Sequence, residues 1–157
     1  MHVQELKQIV IDAVDGMAND LIKVSRDIHA RPELAFEEFY AADRLCTFVE
    51  DNGLDITRNA FGLETAFVSS FGTEDEHDCE VAIISEYDAL PGIGHACGHN
   101  IIAAAGLGAA LALSKLNGKL PGRVRYLGTP AEEKGGGKEY MAQKGAFDGL
   151  DAAMMVH

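Results

Sequence analysis

The run Val81-Ala82-Ile83-Ile84 is apolar at every position. A strand with one wet face alternates apolar and polar residues, so an unbroken apolar run requires cover on both faces. The run is short, rich in β-branched residues, and bounded by Glu80 on one side and Ser85-Glu86 on the other, which reads as a strand over Glu80–Ser85. Such a strand belongs at the centre of a sheet with other layers packed on it, and the rest of the chain has to supply those layers.

The flanking pattern supplies them. Val3, Leu6, Val10, Val14, Met17, Leu21, Val24 and Ile28 follow one another in steps of three and four, which predicts one long amphipathic helix. It ends near Arg31-Pro32, because proline disfavours helix in the residue before it. A second helix is expected over about Glu37 to Asp51, stopped by Asn52-Gly53. Leu54–Arg58 and Glu64–Phe71 read as strands. After the central strand come a Gly-, Pro- and His-rich loop from Asp88 to His99, and a small-residue helix over about Asn100 to Leu116. Arg123–Leu127 is a further strand, Gly137–Lys144 a short helix, and Asp151–Val156 a last buried strand. Strands alternating with helices after a helical start make an α/β layered sheet. The core-strand pattern of residues 152–157 stops without a polar tail, so residues 1–157 are expected to be the N-terminal part of a longer catalytic domain.

Composition narrows the partners. With 157 residues the chain is long enough for one domain with a real core. Lys and Arg number 13 against 25 Asp and Glu, a net charge of −12, which argues against nucleic acid or an anionic membrane surface. The longest uncharged apolar run, Ile101–Leu113, falls short of the roughly 20 residues that span a bilayer. The N-terminus carries Glu5, Asp12 and Asp15 through its apolar stretch, unlike a signal peptide. Cys46, Cys79 and Cys97 are an odd number at irregular spacing, which favours a reducing, cytoplasmic compartment over a disulfide framework. Cys46 is expected to be buried, Cys79 to lie in a surface loop, His29 to stand at the end of the first helix, and His2 and His77 to lie at the surface.

Metal-competent side chains gather where the strands end. Glu86 and Asp88 follow the central strand, with His95, Cys97 and His99 in the loop beyond; Glu132 and Glu133 follow the next strand, and His157 the last. In open α/β sheets functional groups collect beyond the carboxyl ends of strands. Thiolate, imidazole and carboxylate form the ligand set of zinc and its neighbours. Adjacent Glu132 and Glu133 suit a division of labour, one binding metal while the other moves a proton. Cys97 as a nucleophile with His99 or His157 as its base stays open, as does a metal-binding or interaction module without catalysis. Gly135-Gly136-Gly137-Lys138 superficially matches a phosphate loop, yet Glu132 stands at the first Gly position and Glu139 follows the lysine.

Four segments together are similar to the M20 metallopeptidase/amidohydrolase family. They are Arg26-Asp27-Ile28-His29-Ala30-Arg31-Pro32-Glu33-Leu34, Glu86-Tyr87-Asp88-Ala89-Leu90-Pro91, Gly94-His95-Ala96-Cys97-Gly98-His99-Asn100 and Pro130-Ala131-Glu132-Glu133. The resemblance covers nearly the whole chain and points to the aminoacylase, hippurate hydrolase and aminobenzoyl-glutamate hydrolase branches. It implies a zinc-exopeptidase-like, three-layer α/β/α sandwich around a mixed, mostly parallel central sheet, truncated in this chain. It also implies that Cys97, His99, Glu133 and His157 bind metal, that Glu132 is the general base, and that Asp88 supports the site from behind. Two divalent metals per complete site follow from it, zinc first, with Mn, Co or Ni as alternatives. The implied substrate is an N-acyl amino acid or small dipeptide, and the implied full-length assembly is a homodimer with a separate dimerisation domain. Glu86 and Asn100 depart from the usual family residues at their positions, which leaves the role of Glu86 open.

Overall fold

The computed structural model describes residues 2–73, 79–116 and 118–157. Helices α1 (Val3–His29), α2 (Phe39–Asp51), α3 (His99–Ser114) and α4 (Gly137–Gln143) accompany strands β1 (Thr57–Arg58), β2 (Phe67–Gly72), β3 (Cys79–Glu86), β4 (Gly122–Thr129) and β5 (Ala152–Met154). The strands form one sheet in the order β1-β2-β4-β3-β5. β3 pairs in parallel with both β4 and β5, while β2 runs antiparallel to β1 and β4. The sheet is therefore mixed, with its parallel part around β3, as expected.

Side-chain alternation sends successive residues of β3 and β4 into two different cores. Ile83, Val124 and Tyr126 join Val24, Ile28, Leu45, Val49, Leu107 and Leu111 beneath α1, α2 and α3. Ala82, Ile84 and Leu127 face the other way, against Met141 and Ala146 of the α4 layer. Those two layers are what the apolar run at 81–84 demanded. Each fully buried Leu or Ile in the larger core contributes about 1.5–3 kcal/mol relative to exposure. The buried tyrosines keep their hydroxyls satisfied: Tyr87 donates to the Thr65 carbonyl at 2.5 Å, and Tyr126 meets Ser85 Oγ at 3.0 Å.

The small residues of α3 have a packing reason. A Cβ on Gly106 would meet Ser85 Oγ and the Ile84 carbonyl, so α3 lies on β3 at a distance that only glycine allows there. That close approach fixes the N-terminus of α3, and with it His99, against the end of β3.

Three expectations change. The segment 54–58 pairs only over Thr57–Arg58, at the edge of the sheet. Cys79 is exposed as expected but opens β3 instead of lying in a loop. The last strand is Ala152–Met154 and is exposed along its length, not buried. It is an edge strand paired to β3 alone, and Met155, just beyond it, is the residue that packs partly into the smaller core. His77 and the acidic stretch around it lie outside the described residues.

Candidate metal centre

Parallel pairing explains how distant residues meet. In register, Glu86 of β3 sits beside Thr129 of β4, and Glu132 and Glu133 follow that strand directly. Ile83 pairs with Met154, so the same count along both strands arrives at Glu86 and His157 together. The third contribution comes from Cys97-Gly98-His99. Gly98 has φ +80, a left-handed conformation that lets the chain turn into α3 with His99 as its first residue.

His99 is the centre of the cluster and is almost fully buried. Its Nδ1 lies 2.8 Å from the Asp88 carbonyl and 3.2 Å from Asp88 Oδ1. Both partners are acceptors, so Nδ1 carries the hydrogen and Nε2 presents its lone pair. Around Nε2 stand Glu86 Oε1 at 3.2 Å, Glu133 Oε1 at 3.6 Å and Glu132 Oε2 at 3.7 Å. His157 Nε2 is 3.4 Å from Glu86 Oε1. Ligand atoms of Glu86, His99, Glu132 and His157 all fall within 4.8 Å of one another.

Two buried atoms here make no hydrogen bond among the described residues: His99 Nε2 and Glu86 Oε1. Lone pairs held face to face at 3.2 Å need a cation or a proton between them. The other Glu86 oxygen is occupied by the Lys138 ammonium. A buried nitrogen, oxygens from separate carboxylates and a second imidazole match the donor set of a first-row dication, so the residues present fit a metal.

The surrounding electrostatics agree. Burial works against the charged form of Asp88, but hydrogen bonds from the His99 ring and from the Glu133 and Glu132 amides hold its carboxyl below the ordinary aspartate value. The Glu133 amide donates to Asp88 Oδ2 at 2.8 Å, so one carboxylate positions both the imidazole and the glutamate pair. Burial also opposes a charged His99, yet Asp88 and Glu86 raise its pKa overall. Without metal, a proton takes the cation's place.

A depressed aspartate stabilises the folded state above the ordinary aspartate range and loses that contribution as pH falls through it. The metal-free chain should therefore melt at lower temperature as pH drops through and below that range. Asp88→Asn should flatten that part of the profile. Thermal melts against pH in the presence of a chelator check this, and superimposable profiles would refute it.

Cys97 is exposed and lies outside the tight cluster. Its thiol is bonded to the Glu133 carboxyl, which pushes the thiol pKa up, with Glu132 and Asp88 acting the same way. Nucleophilic cysteines sit in electropositive surroundings that favour thiolate, so this neighbourhood argues against the Cys97 hydrolase reading. Among the other histidines, His29 ends α1 as expected, and His95 is buried beside it with ring centroids 6.2 Å apart. His2 is exposed.

Sequence reasoning leaves two members of the site without a role. It places Glu86 among the metal-competent groups but leaves its part open, whereas this residue is fully buried and aimed at both histidines. It also dismisses Lys138 together with the failed phosphate loop, yet Lys138 is the cation that neutralises Glu86. The one signal for Lys138 is a lone lysine after three glycines, and nothing local links it to a residue 52 positions earlier.

Comparison with known proteins agrees with this geometry. Residues 82–157 match the family model described as Peptidase family M20/M25/M40. The chain is 34% identical over 99% of its length to one of the subunits of the p-aminobenzoyl-glutamate hydrolase of Escherichia coli, and 41% identical over 99% to the Xaa-Arg dipeptidase of Mus musculus. It covers 36% and 39% of those proteins, respectively. A Bacillus subtilis structure described as a dinuclear metal binding peptidase from the M20 family superposes with a TM-score of 0.80 at 29% identity, over 88% of this chain and 42% of that one. Over residues 82–157 the chain thus resembles the M20 peptidase family, and along nearly its whole length it is similar to the N-terminal part of the relatives named here.

Proposed function

We propose that this chain carries most of the metal-binding and proton-transferring groups of an enzyme that hydrolyses an amide bond in an N-acyl amino acid or small dipeptide. The observation that carries the reading is the buried, unsatisfied pair of His99 Nε2 and Glu86 Oε1, surrounded by Glu132, Glu133 and His157. His99, Glu133, His157 and Cys97 would hold the metal, as the family resemblance implies, and Glu86 faces His99 and His157. Zinc is the first choice for a mixed nitrogen, sulfur and oxygen set, with Mn, Co or Ni as alternatives, and two ions are in keeping with the dinuclear relative. A bound dication supplies Lewis acidity toward the attacking water and the amide carbonyl.

The protein's own part is proton handling and orientation. Glu132 is part-exposed at the rim, placed to take a proton from the attacking water and hand it to the departing amine nitrogen. Asp88 keeps His99 in the tautomer whose Nε2 faces the metal position. Beside Glu133 opens a cleft of about 540 Å3, lined by Leu34, Phe36, Leu90 and Pro91 and edged by Glu37, Glu133 and Lys134. Apolar walls with a rim carrying both signs of charge suit the acyl or side-chain portion of a small substrate. The named activities of the relatives, a p-aminobenzoyl-glutamate hydrolase, an Xaa-Arg dipeptidase and an N-acetyl-L-cysteine deacetylase, all concern an amide bond next to an amino acid.

No helix among the described residues is long and apolar enough to cross a membrane. Free Cys46, Cys79 and Cys97 support a cytoplasmic setting. The homodimer expectation rests on the family resemblance.

Elemental analysis of the purified chain tests the metal reading. The parent should retain a divalent metal, and His99→Ala and Glu133→Ala should lose it. Cys97→Ser should lower the metal content. Equal metal in all four proteins, or none in the parent, would sink the assignment.

A further inference from the structure

Glu38 is a carboxylate with no solvent exposure, and its chemistry is not used by the metal centre. Its two oxygens accept three hydrogen bonds from three different segments. Oε1 accepts from the Phe36 amide at 2.9 Å and from the Ala131 amide at 2.8 Å, while Oε2 accepts from the Thr65 hydroxyl at 2.9 Å. Phe36 and Ala131 have something else in common. Both are non-glycine residues in the left-handed region, with φ of 66° and 58°. Such conformations are strained for residues with a side chain and persist only where their surroundings hold them.

The two held residues occupy functional positions. Ala131 directly precedes Glu132-Glu133, and its left-handed turn sends the chain from the end of β4 back over the site. Its carbonyl accepts from the Gly137 amide at 3.0 Å, closing the turn that carries both glutamates. Phe36 is a wall of the cleft beside Glu133, and its ring lies where a Cβ on Gly135 would be. A single oxygen atom of Glu38 thus ties the cleft wall to the glutamate turn, whose Ala131 lies 93 residues further along the chain from Glu38.

We infer that Glu38 is a positioning residue that fixes the glutamate turn and the apolar cleft wall relative to each other, so that substrate site and metal site are held as one rigid unit. This rests on the reading of Glu132 and Glu133 given above. Asp88 grips the same turn from the metal side, through the Glu133 amide, and Glu38 grips it from behind, through Ala131. Oxygen acceptance is the operative property, because all three partners are donors. Glutamine keeps one carbonyl oxygen for the two amides and can turn its NH2 toward the Thr65 hydroxyl, which then accepts.

The test compares the parent chain with Glu38→Gln and Glu38→Ala. Hydrogen-exchange mass spectrometry on the metal-free proteins reads residues 34–38 and 130–136. In Glu38→Ala both segments should exchange about tenfold faster, the factor for one lost hydrogen bond, while α1 and β3 stay unchanged. Glu38→Gln should resemble the parent. Zinc affinity, measured by competition with a chromophoric chelator, should fall about 10–100-fold in Glu38→Ala and stay near the parent value in Glu38→Gln. Loosening of one segment alone, or a Gln variant as loose as the Ala variant, would overturn the inference. So would equal zinc affinity in all three proteins. Should Glu38→Ala lose its cooperative melt, Glu38→Asp takes its place: it is one methylene shorter and cannot bridge both amides, so the same paired loosening is required of it. A parent that binds no zinc while the Ala variant loosens both segments would refute the metal reading and leave the linkage of the two segments standing.

Discussion

Glu132→Gln should abolish most of the turnover in any form of the protein that hydrolyses an N-acyl amino acid, while leaving its metal in place. A positioned general base contributes about 10²–10⁴-fold, and an amide at the same position cannot accept the proton. The expected result is a fall of that size in kcat with metal content unchanged by elemental analysis. Glu133→Gln should behave differently, losing metal and activity together. This split matters because both glutamates approach the same nitrogen, their nearest oxygens lying 3.7 and 3.6 Å from His99 Nε2, and it is Glu132 whose oxygen falls within the tight four-residue cluster. They differ in surroundings. The Glu133 amide is fixed by Asp88 and its carboxyl meets Cys97, whereas Glu132 has the more exposed side chain, 35% against 20%, with room to reach a water and a leaving group. A Glu132→Gln protein with full turnover would remove the proposed base, and one that also lost its metal would make Glu132 a ligand instead.

Lys138→Met carries the second large effect. Glu86 is fully buried, and Lys138 is the cation bonded to its Oε2. Removing one partner of a buried pair costs about 3–5 kcal/mol, and since the Lys138 side chain is 30% exposed we expect about 2–3 kcal/mol in the metal-free chain. Methionine is close in volume and flexible enough to fill the space, so the loss reports charge more than packing. Metal should repair much of it, because a dication beside Oε1 supplies the missing positive charge. Denaturant melts with and without zinc check this: the variant should gain more stability from zinc than the parent does. An equal gain in both proteins would show that Glu86 does not face the metal.

The chain's helices are legible to within a few residues because a 3.6-residue period is a local property. α1 spans Val3–His29 against an expectation ending near Arg31-Pro32, and α3 spans His99–Ser114 against about 100–116. Strands are less legible. Ala152-Ala153-Met154 reads as a core segment by composition, but as an edge strand paired only to β3 it is exposed. Apolar character along a strand does not state which neighbours cover it; that depends on sheet order, which is non-local.

The site divides in the same way. Residue types and their place after strands are enough to single out Glu86, Asp88, His95, Cys97, His99, Glu132, Glu133 and His157 as metal-competent groups at one edge of an α/β sheet. The parallel register of β3, β4 and β5 turns those residues into a place, and the sequence does not state a register. The roles of Glu86, Lys138 and Glu38 come only from tertiary structure. Each is a charged side chain whose partner lies 52 or 93 residues away or on another strand, and the cost of burying a charge depends on what the fold sets beside it. Local pattern determines which segments become helix or strand and which chemistry is available. Long-range packing decides which carboxylate is held by amides, and which is neutralised by an ammonium on one oxygen while the other faces an imidazole nitrogen, a place for a proton or a metal.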